Sequence, residues 1–373
     1  MKKIIIVLPD FQKIGAQRVA LDFGVKLAQL GYDVQWMSGN KSIVTTEIHH
    51  QSIKYFDAKI FLKIRGLRVL EKFYKLMILM LSSKGATIIS VTPLLNRFLC
   101  LYVLLGVISS KLIIEDHAYP PRSYLDEFPG ILKRIFFKRT EWLYKYASII
   151  RVLTLGTHEY YREAVPSANV VMFPNLMDFG RISRLLNEQK CIESYDFVYI
   201  GRFETQKNVP YLIYTLCDYL KLNNKKLLII GYGSIENEIK NIINELDLAK
   251  NVKLKSSGSD NYEYLRRAKV FPLVSIWEGY PLVLIEAMYL GVAVVSFDCM
   301  TGPKELIGSE SDRGWLVPEG DSEKFINAIK EAVENKKLRE EKITKAKKFV
   351  TSSLDIDIKF MDYIKIFIEE NRK

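Results

Sequence analysis

The chain has 373 residues, 49% of them hydrophobic and 26% charged, which favours two packed domains and excludes a disordered or fibrous protein. Its formal net charge of +11 implies an anionic partner: a phosphorylated substrate, a nucleic acid or an acidic membrane surface. The four cysteines, Cys100, Cys191, Cys217 and Cys299, and the four histidines lack metal-ligand spacing, which argues against a zinc cluster and predicts a reduced, cytoplasmic setting.

Met1-Lys2-Lys3 ahead of Ile4 to Leu8 imitates a signal peptide, but the apolar run is short and Asp10 and Gln12 follow at once. It reads as a strand. Ala16 to Leu30 is helical and stops at Gly31, and Asp33 to Met37 is strand-like again, a βαβ opening that predicts a parallel sheet. From Lys59 to Lys75 six cations (Lys59, Lys63, Arg65, Arg68, Lys72, Lys75) interleave with apolar residues, and Lys133, Arg134, Lys138 and Arg139 surround Phe136 and Phe137. Both stretches read as basic amphipathic helices, suited to an anionic membrane surface or to a solvated face. Thr87 to Val91 and Lys111 to Ile114 supply further strands. Between them Phe98 to Ile108 is an uncharged apolar run of 11 residues, against about 20 needed to span a bilayer, so a buried helix is expected.

Phe173 to Asp178 reads as a hinge, followed by a polar helical stretch to Glu193. A second βα series then runs through Asp196 to Gly201, Leu227 to Ile230, Val252 to Leu254, Val270 to Val274 and Val292 to Ser296. A Lys/Glu-rich helix from Glu323 to Lys348 precedes a terminal helix, Asp355 to Glu370, with Phe360, Ile364 and Phe367 on one face. Asp355-Ile356-Asp357 has the form of a DxD metal motif, but at a helix start it reads as capping.

Four segments carry the chemistry. Gly201-Arg202-Phe203-Glu204-Thr205-Gln206-Lys207-Asn208 follows a strand and precedes a helix, placing the cations Arg202 and Lys207 at the sheet's ligand-facing edge. Such cations can stabilise the charge growing on a departing diphosphate. Gly231-Tyr232-Gly233-Ser234 after the next strand is a weak Gly-x-Gly turn signal. Glu115-Asp116-His117 follows the strand at Lys111, and His117 suits a hydrogen bond to a sugar or service as an ordinary loop residue. Trp277-Glu278-Gly279-Tyr280-Pro281-Leu282-Val283-Leu284-Ile285-Glu286 crosses from a strand into a helix and places two carboxylates eight positions apart. Glu286 shares its helix face with Leu282, Val283, Tyr289 and Leu290, and a carboxylate there must find a partner, for instance vicinal sugar hydroxyls.

This last segment resembles the Glu-x7-Glu signature of the retaining glycosyltransferase family 4, bacterial surface-polysaccharide enzymes among them. The resemblance covers Phe197 to Pro318 through several ordered motifs and the first half more thinly. It implies that Glu278 faces the donor sugar and Glu286 holds the nucleotide ribose, with Gly279, Tyr280, Pro281 and Leu282 lining the same loop. It implies that Arg202 and Lys207 meet the diphosphate beside Gly201, and that Gly231 and Gly233 lie close to the nucleotide. Thr301-Gly302-Pro303-Lys304-Glu305 resembles a loop frequent in members using UDP-sugars. Gly15-Ala16-Gln17-Arg18-Val19 resembles the family's phosphate-facing helix start; Ile14 and Gln17 depart from its pattern, so the expectation rests on Gly15. The Glu115–His117 segment is similar to a loop lining the reaction centre.

The implied fold is α/β, GT-B: two Rossmann-like domains facing each other across a cleft, with the C-terminal helix crossing back to the first. The expected limits are residues 1–178 with 355–373 for an acceptor-binding domain and 194–350 for a nucleotide-sugar donor-binding domain. The implied activity is a retaining, metal-independent transfer of a hexose or N-acetylhexosamine from a UDP-sugar to a lipid-linked saccharide. No cofactor and no nucleic-acid partner are expected. The expected place is the inner face of the cytoplasmic membrane, held peripherally. Two alternatives stay open: a GT-B sugar-nucleotide epimerase and a basic nucleic-acid-binding protein, although no RRM, KH or helix-turn-helix signature is present.

Overall fold

The computed structural model describes residues 2–9, 15–39, 52–55, 65–81, 83–121, 138–187, 193–258 and 261–369, with backbone alone over 65–72. The chain forms two compact units, Met1–Met177 with Phe360–Lys373, and Asp178–Lys359.

The first unit is built on seven strands: β1 (Lys3–Leu8), β2 (Asp33–Ser38), β3 (Ser52–Tyr55), β4 (Thr87–Ser90), β5 (Lys111–Asp116), β6 (Ile149–Val152) and β7 (Val170–Met172). Their order is β3-β2-β1-β4-β5-β6-β7 and every pairing is parallel. A parallel sheet is covered on both faces, which is why β1 is a continuous apolar run rather than an alternating one: Ile4 to Leu8 are each at most 1% exposed. On one face Ile5, Val7, Ile88, Leu112 and Ile150 pack with Phe73, Leu76 and Met80 of the helix Arg65–Leu81 and with Leu95 and Leu99 of the helix Pro93–Leu104. Each such buried side chain contributes roughly 1.5–3 kcal/mol of transfer free energy. The C-terminal segment belongs to this unit. Phe360, Tyr363, Ile364 and Phe367 are all buried, and the Tyr363 ring meets Phe23 edge-on at 4.7 Å.

The second unit has six parallel strands, β8 (Phe197–Ile200), β9 (Leu227–Ile230), β10 (Val252–Lys255), β11 (Val270–Leu273), β12 (Ala293–Asp298) and β13 (Trp315–Pro318), ordered β10-β9-β8-β11-β12-β13. The direction of winding reverses between β8 and β11, as it does between β1 and β4 in the first sheet. Loops leaving the carboxyl ends of two such strands diverge, and the crevice they open is where doubly wound sheets bind ligands.

Some elements differ from the sequence reading. Four strands, β3, β6, β7 and β13, are short and lack a marked apolar run. The Lys/Glu-rich helix is two helices, Ser322–Glu334 and Lys336–Ser353, because Asn335 leaves the helical conformation and its Oδ1 accepts from the Leu338 N–H at 3.1 Å. The terminal helix spans Ile356–Tyr363 and widens into a π-turn over Ile364–Ile368. At its start the Asp355 carboxylate accepts from the Asp357 N–H at 2.8 Å, a capping contact. Much of both basic stretches, residues 59–64 and 133–137, lies outside the described residues. In the described part of the first, Tyr74, Ile78 and Leu81 are exposed and fall on one helical stripe. No helix among the described residues is long and apolar enough to cross a membrane.

Candidate functional site

In the second sheet the loop after β8 and the loop after β11 leave from opposite sides of the reversal. The first passes Gly201 and Arg202 into a 3-10 turn, Thr205–Lys207, before Asn208 takes a left-handed conformation (φ 55°) and the helix Val209–Leu222 begins. The second runs from Val274 to Pro281, where the helix Leu282–Tyr289 starts. Backbone and side-chain bonds tie the two loops together: Ile276 N–H donates to Gln206 O at 2.9 Å, and Gln206 Nε2 donates to Trp277 O at 2.9 Å. Lys207 Nζ reaches Glu278 Oε1 at 2.6 Å, and Ser275 Oγ donates to the same oxygen at 2.6 Å. Glu278 is 4% exposed. Its main-chain oxygen accepts from Thr301 Oγ1 in the loop after β12. One carboxylate oxygen is thus anchored twice, which fixes the direction of the other. Arg202 is exposed and its Nη2 donates to Gln206 Oε1 at 3.2 Å.

Two of the expected ligand glycines have a packing reason to be glycine. A Cβ on Gly231 would stand 1.9 Å from Gly201 O, and one on Gly233 would stand 2.3 Å from Phe203 O. The β9 loop lies directly against the β8 loop, joined by Phe203 N–H to Tyr232 O at 2.8 Å and Ser234 Oγ to Glu204 Oε2 at 2.8 Å. Close backbone contact alone requires both glycines. Gly302, at φ +97°, is pressed likewise: a Cβ would lie 2.7 Å from Pro281 and 2.9 Å from Gly279 O. The Gly279–Leu282 stretch is therefore held from the side of β12, with Tyr280 and Pro281 buried and Leu282 half-buried.

The buried face of the Glu286 helix is Leu284, Ile285, Ala287 and Met288, whereas Leu282, Val283, Glu286, Tyr289 and Leu290 are half-buried. The carboxylate has a partner there: Tyr262 donates to its Oε1 at 2.9 Å. Tyr289 on the same face stacks on Phe179 with ring centroids 4.2 Å apart.

Beneath the β8 loop lies Tyr199, fully buried and stacked on Phe271 of β11. Its hydroxyl would sit 2.4 Å from a Cβ on Gly201 and makes no hydrogen bond among the described residues. Burial, and then the charge of Glu278, push its phenol far up.

In the first sheet the carboxyl end of β5 and the loop after it carry a second polar centre. Glu115, 1% exposed, takes Arg151 Nη1 at 2.7 Å and His117 Nε2 at 3.0 Å on one oxygen and the Tyr363 hydroxyl at 3.1 Å on the other. Arg151, with no exposed surface, also donates to Phe173 O, Pro174 O and Asn175 Oδ1, and its guanidinium lies among the rings of Phe23, Phe173 and Tyr363. Burial pushes the Glu115 carboxyl up, but the Arg151 charge and the bonds from His117 and Arg151 outweigh it and hold it at about 2. Among the described residues Asp116, next to it, forms no salt bridge. Burial raises its pKa despite bonds from the Tyr161 hydroxyl and the Ala118 N–H. His117 therefore has both ring nitrogens engaged within its own unit, Nε2 by Glu115 and Nδ1 by Asn175 Nδ2 at 3.4 Å. Gly15, exposed at φ +54°, opens the helix Gly15–Gln29 after β1.

The structure brings Lys207, Glu278 and the Arg202 loop together at one reversal and places His117 and Gly15 in the other unit. Sequence reasoning missed Ser275, Thr301, Gln206 and Tyr262 at the first centre, and Arg151, Asn175 and Tyr363 at the second. None has a spacing signal, since each pairs with a residue set by the sheet order. No group of three or more His, Cys, Asp or Glu side chains among the described residues could hold a metal ion.

Residues 187–349 match the family model described as Glycosyl transferases group 1. The chain is 29% identical over 258 residues to an uncharacterized glycosyltransferase of Methanocaldococcus jannaschii, covering 65% of this chain and 63% of that one. It is 26% identical over 357 residues to the amylovoran biosynthesis glycosyltransferase AmsD of Erwinia amylovora, covering 91% and 92%. The chain is a glycosyltransferase. A third relative, 26% identical over 242 residues and covering 64% of each chain, is the N-acetylgalactosamine-N,N'-diacetylbacillosaminyl-diphospho-undecaprenol 4-alpha-N-acetylgalactosaminyltransferase of Campylobacter jejuni. Among solved structures, TarM of S. aureus in complex with fondaparinux, alpha-GlcNAc-glycerol and UDP superposes with a TM-score of 0.78 at 15% identity, covering 99% of this chain and 100% of that one. The enzyme has the GT-B fold. These likenesses favour neither an epimerase nor a nucleic-acid-binding protein.

Proposed function

We propose that the enzyme is a retaining member of glycosyltransferase family 4 that moves a hexose or N-acetylhexosamine from a UDP-sugar to a lipid-linked saccharide during surface-glycan assembly. The observation that carries the reading is the anchored Glu278 at the β8–β11 reversal, with Lys207 upon it and Arg202 on the same loop as Lys207. A carboxylate fixed through one oxygen can accept hydrogen bonds from ring hydroxyls through the other. Arg202 and Lys207 supply positive charge where the diphosphate departs, so the reading requires no metal. Glu286, half-buried and already bonded to a hydroxyl of Tyr262, suits the ribose.

Transfer then breaks the bond between the anomeric carbon and the diphosphate oxygen and forms one to the acceptor oxygen on the same face. The departing phosphate takes the acceptor proton, which is why no side chain is named as base. UDP in the TarM structure and the lipid diphosphate in the Campylobacter relative's name support the donor and acceptor classes. For the inner membrane face, the support is the exposed stripe Tyr74, Ile78, Leu81 on a helix whose sequence is rich in Arg and Lys.

The test is product analysis. The enzyme is incubated with UDP-hexoses and UDP-N-acetylhexosamines, with a polyprenyl-diphosphate saccharide, in EDTA. An α-linked product from an α-linked donor is expected. An inverted product, or turnover only with divalent metal, would overturn retention or metal independence respectively.

A further inference from the structure

The hydrogen bonds around His117 determine where its proton sits. Arg151 carries donors only, so Asn175 must turn its Oδ1 to Arg151 Nη2 at 3.0 Å. The Asn175 amide nitrogen is then the group facing His117 Nδ1 at 3.4 Å, and it can only donate. Nδ1 must therefore accept. On the other side of the ring Nε2 lies 3.0 Å from Glu115 Oε2, whose carboxylate is paired with Arg151 and accepts, so Nε2 carries the proton. Glu115 could rotate away from this role, but its second oxygen is held by the Tyr363 hydroxyl at 3.1 Å. Tyr363 comes from the C-terminal segment, 248 positions along the chain, is fully buried, and packs on Phe23, Phe360 and Phe367.

We infer that Tyr363 is a positioning residue: through Glu115 it fixes the tautomer of His117, with the proton on Nε2 and Nδ1 presented as an acceptor to which a saccharide hydroxyl can donate. The Asn175 contact is long enough to be displaced by such a hydroxyl, whereas the contacts to Glu115 are not. The inference rests on the glycosyl-transfer reading for its ligand, but the tautomer it requires is a property of the free chain.

The test is ¹⁵N NMR of the full chain with labelled histidine, the His117 signals being assigned by their loss in His117→Gln. The parent should show an unprotonated Nδ1 and a protonated Nε2. Tyr363→Phe, which keeps the ring packing, should give a mixture of tautomers and lower kcat about tenfold, the change expected for one lost hydrogen bond to a charged group, with UDP affinity unchanged. A purely structural role would lower thermal stability and leave the tautomer alone. Should Tyr363→Phe fold poorly, Glu115→Gln tests the same path by removing the acceptor that Tyr363 holds toward Nε2, and the tautomer should again become mixed. A protonated Nδ1 in the parent, or the parent's tautomer in folded Tyr363→Phe or, where that variant fails to fold, in Glu115→Gln, would overturn the inference. Failure of the transfer reading would show separately, as an absence of turnover in the parent with every nucleotide-sugar.

Discussion

Lys207→Met isolates the contribution of the cation to the fold from its contribution to the reaction. The side chains of Lys207 and Glu278 are 15% and 5% exposed, so the pair lies mostly out of water. Removing the lysine leaves a buried carboxylate with only Ser275 on the same oxygen. Losing one partner of a buried pair costs about 3–5 kcal/mol; the retained Ser275 bond and the wet tip of the lysine favour the low end, about 3 kcal/mol. In a unit of this size that is a fall of about 6–12 °C in the midpoint of its thermal transition. The double variant Lys207→Met, Glu278→Gln removes the unpaired charge and should recover most of that loss. It should remain inactive, because both groups proposed to meet the donor are gone. Differential scanning calorimetry and turnover with the preferred UDP-sugar measure the two effects. A single variant within 1 kcal/mol of the parent, or a double variant as unstable as the sum of its singles, would refute the claim that Lys207 neutralises Glu278.

Glu286→Ala should weaken UDP itself by about tenfold or more, as a charge-assisted hydrogen bond contributes roughly 1.5–3 kcal/mol, while Glu278→Ala should leave UDP affinity nearly unchanged and reduce kcat steeply. Calorimetric titration of UDP into both variants, with turnover, checks the division, and the reverse pattern would exchange the two roles. Tyr199→Phe removes a buried hydroxyl that has no partner among the described residues, so it should be neutral or stabilising by about 1 kcal/mol in urea denaturation; a loss of more than that would mean the hydroxyl is satisfied. Glu115 has a folded pKa of about 2 against an ordinary value of 4.5, so the stability it contributes is present above the higher value and is lost as pH falls through that interval. At 1.36 kcal/mol per unit the loss is on the order of 3 kcal/mol. Glu115→Gln should flatten the acid limb of stability against pH, measured by denaturant midpoints from pH 6 downwards.

The parts of the fold legible in the sequence are those whose cause is local. Ile4 to Leu8, Leu227 to Ile230 and Val270 to Leu273 are apolar runs bounded by turns, and each forms a strand. β6 is harder to see because Arg151 interrupts its apolar pattern. Arg151 is polar at a central strand position only because it completes a network that includes Glu115, Asn175 and the Phe173 and Pro174 carbonyls. A buried arginine reads as a break in a strand until its partners are known.

The candidate site divides in the same way. Glu278 and Lys207 each stand in a recognisable loop, but 71 positions separate them, and only the order β8 next to β11 brings the loops to one crevice. Adjacency in a parallel sheet depends on right-handed crossovers and on which strands cover each other, neither of which is written at the positions that meet. Gly231 and Gly233 read locally as a tight turn, and the β8 loop packs directly on that turn, with Gly201 O and Phe203 O close to where their Cβ atoms would be. Their substitution should therefore move the β8 loop, and with it Arg202 and Lys207, even if no ligand atom approaches either glycine. The β9 turn bears on the loop of Arg202 and Lys207 by packing, and in sequence that role is indistinguishable from direct contact with a ligand.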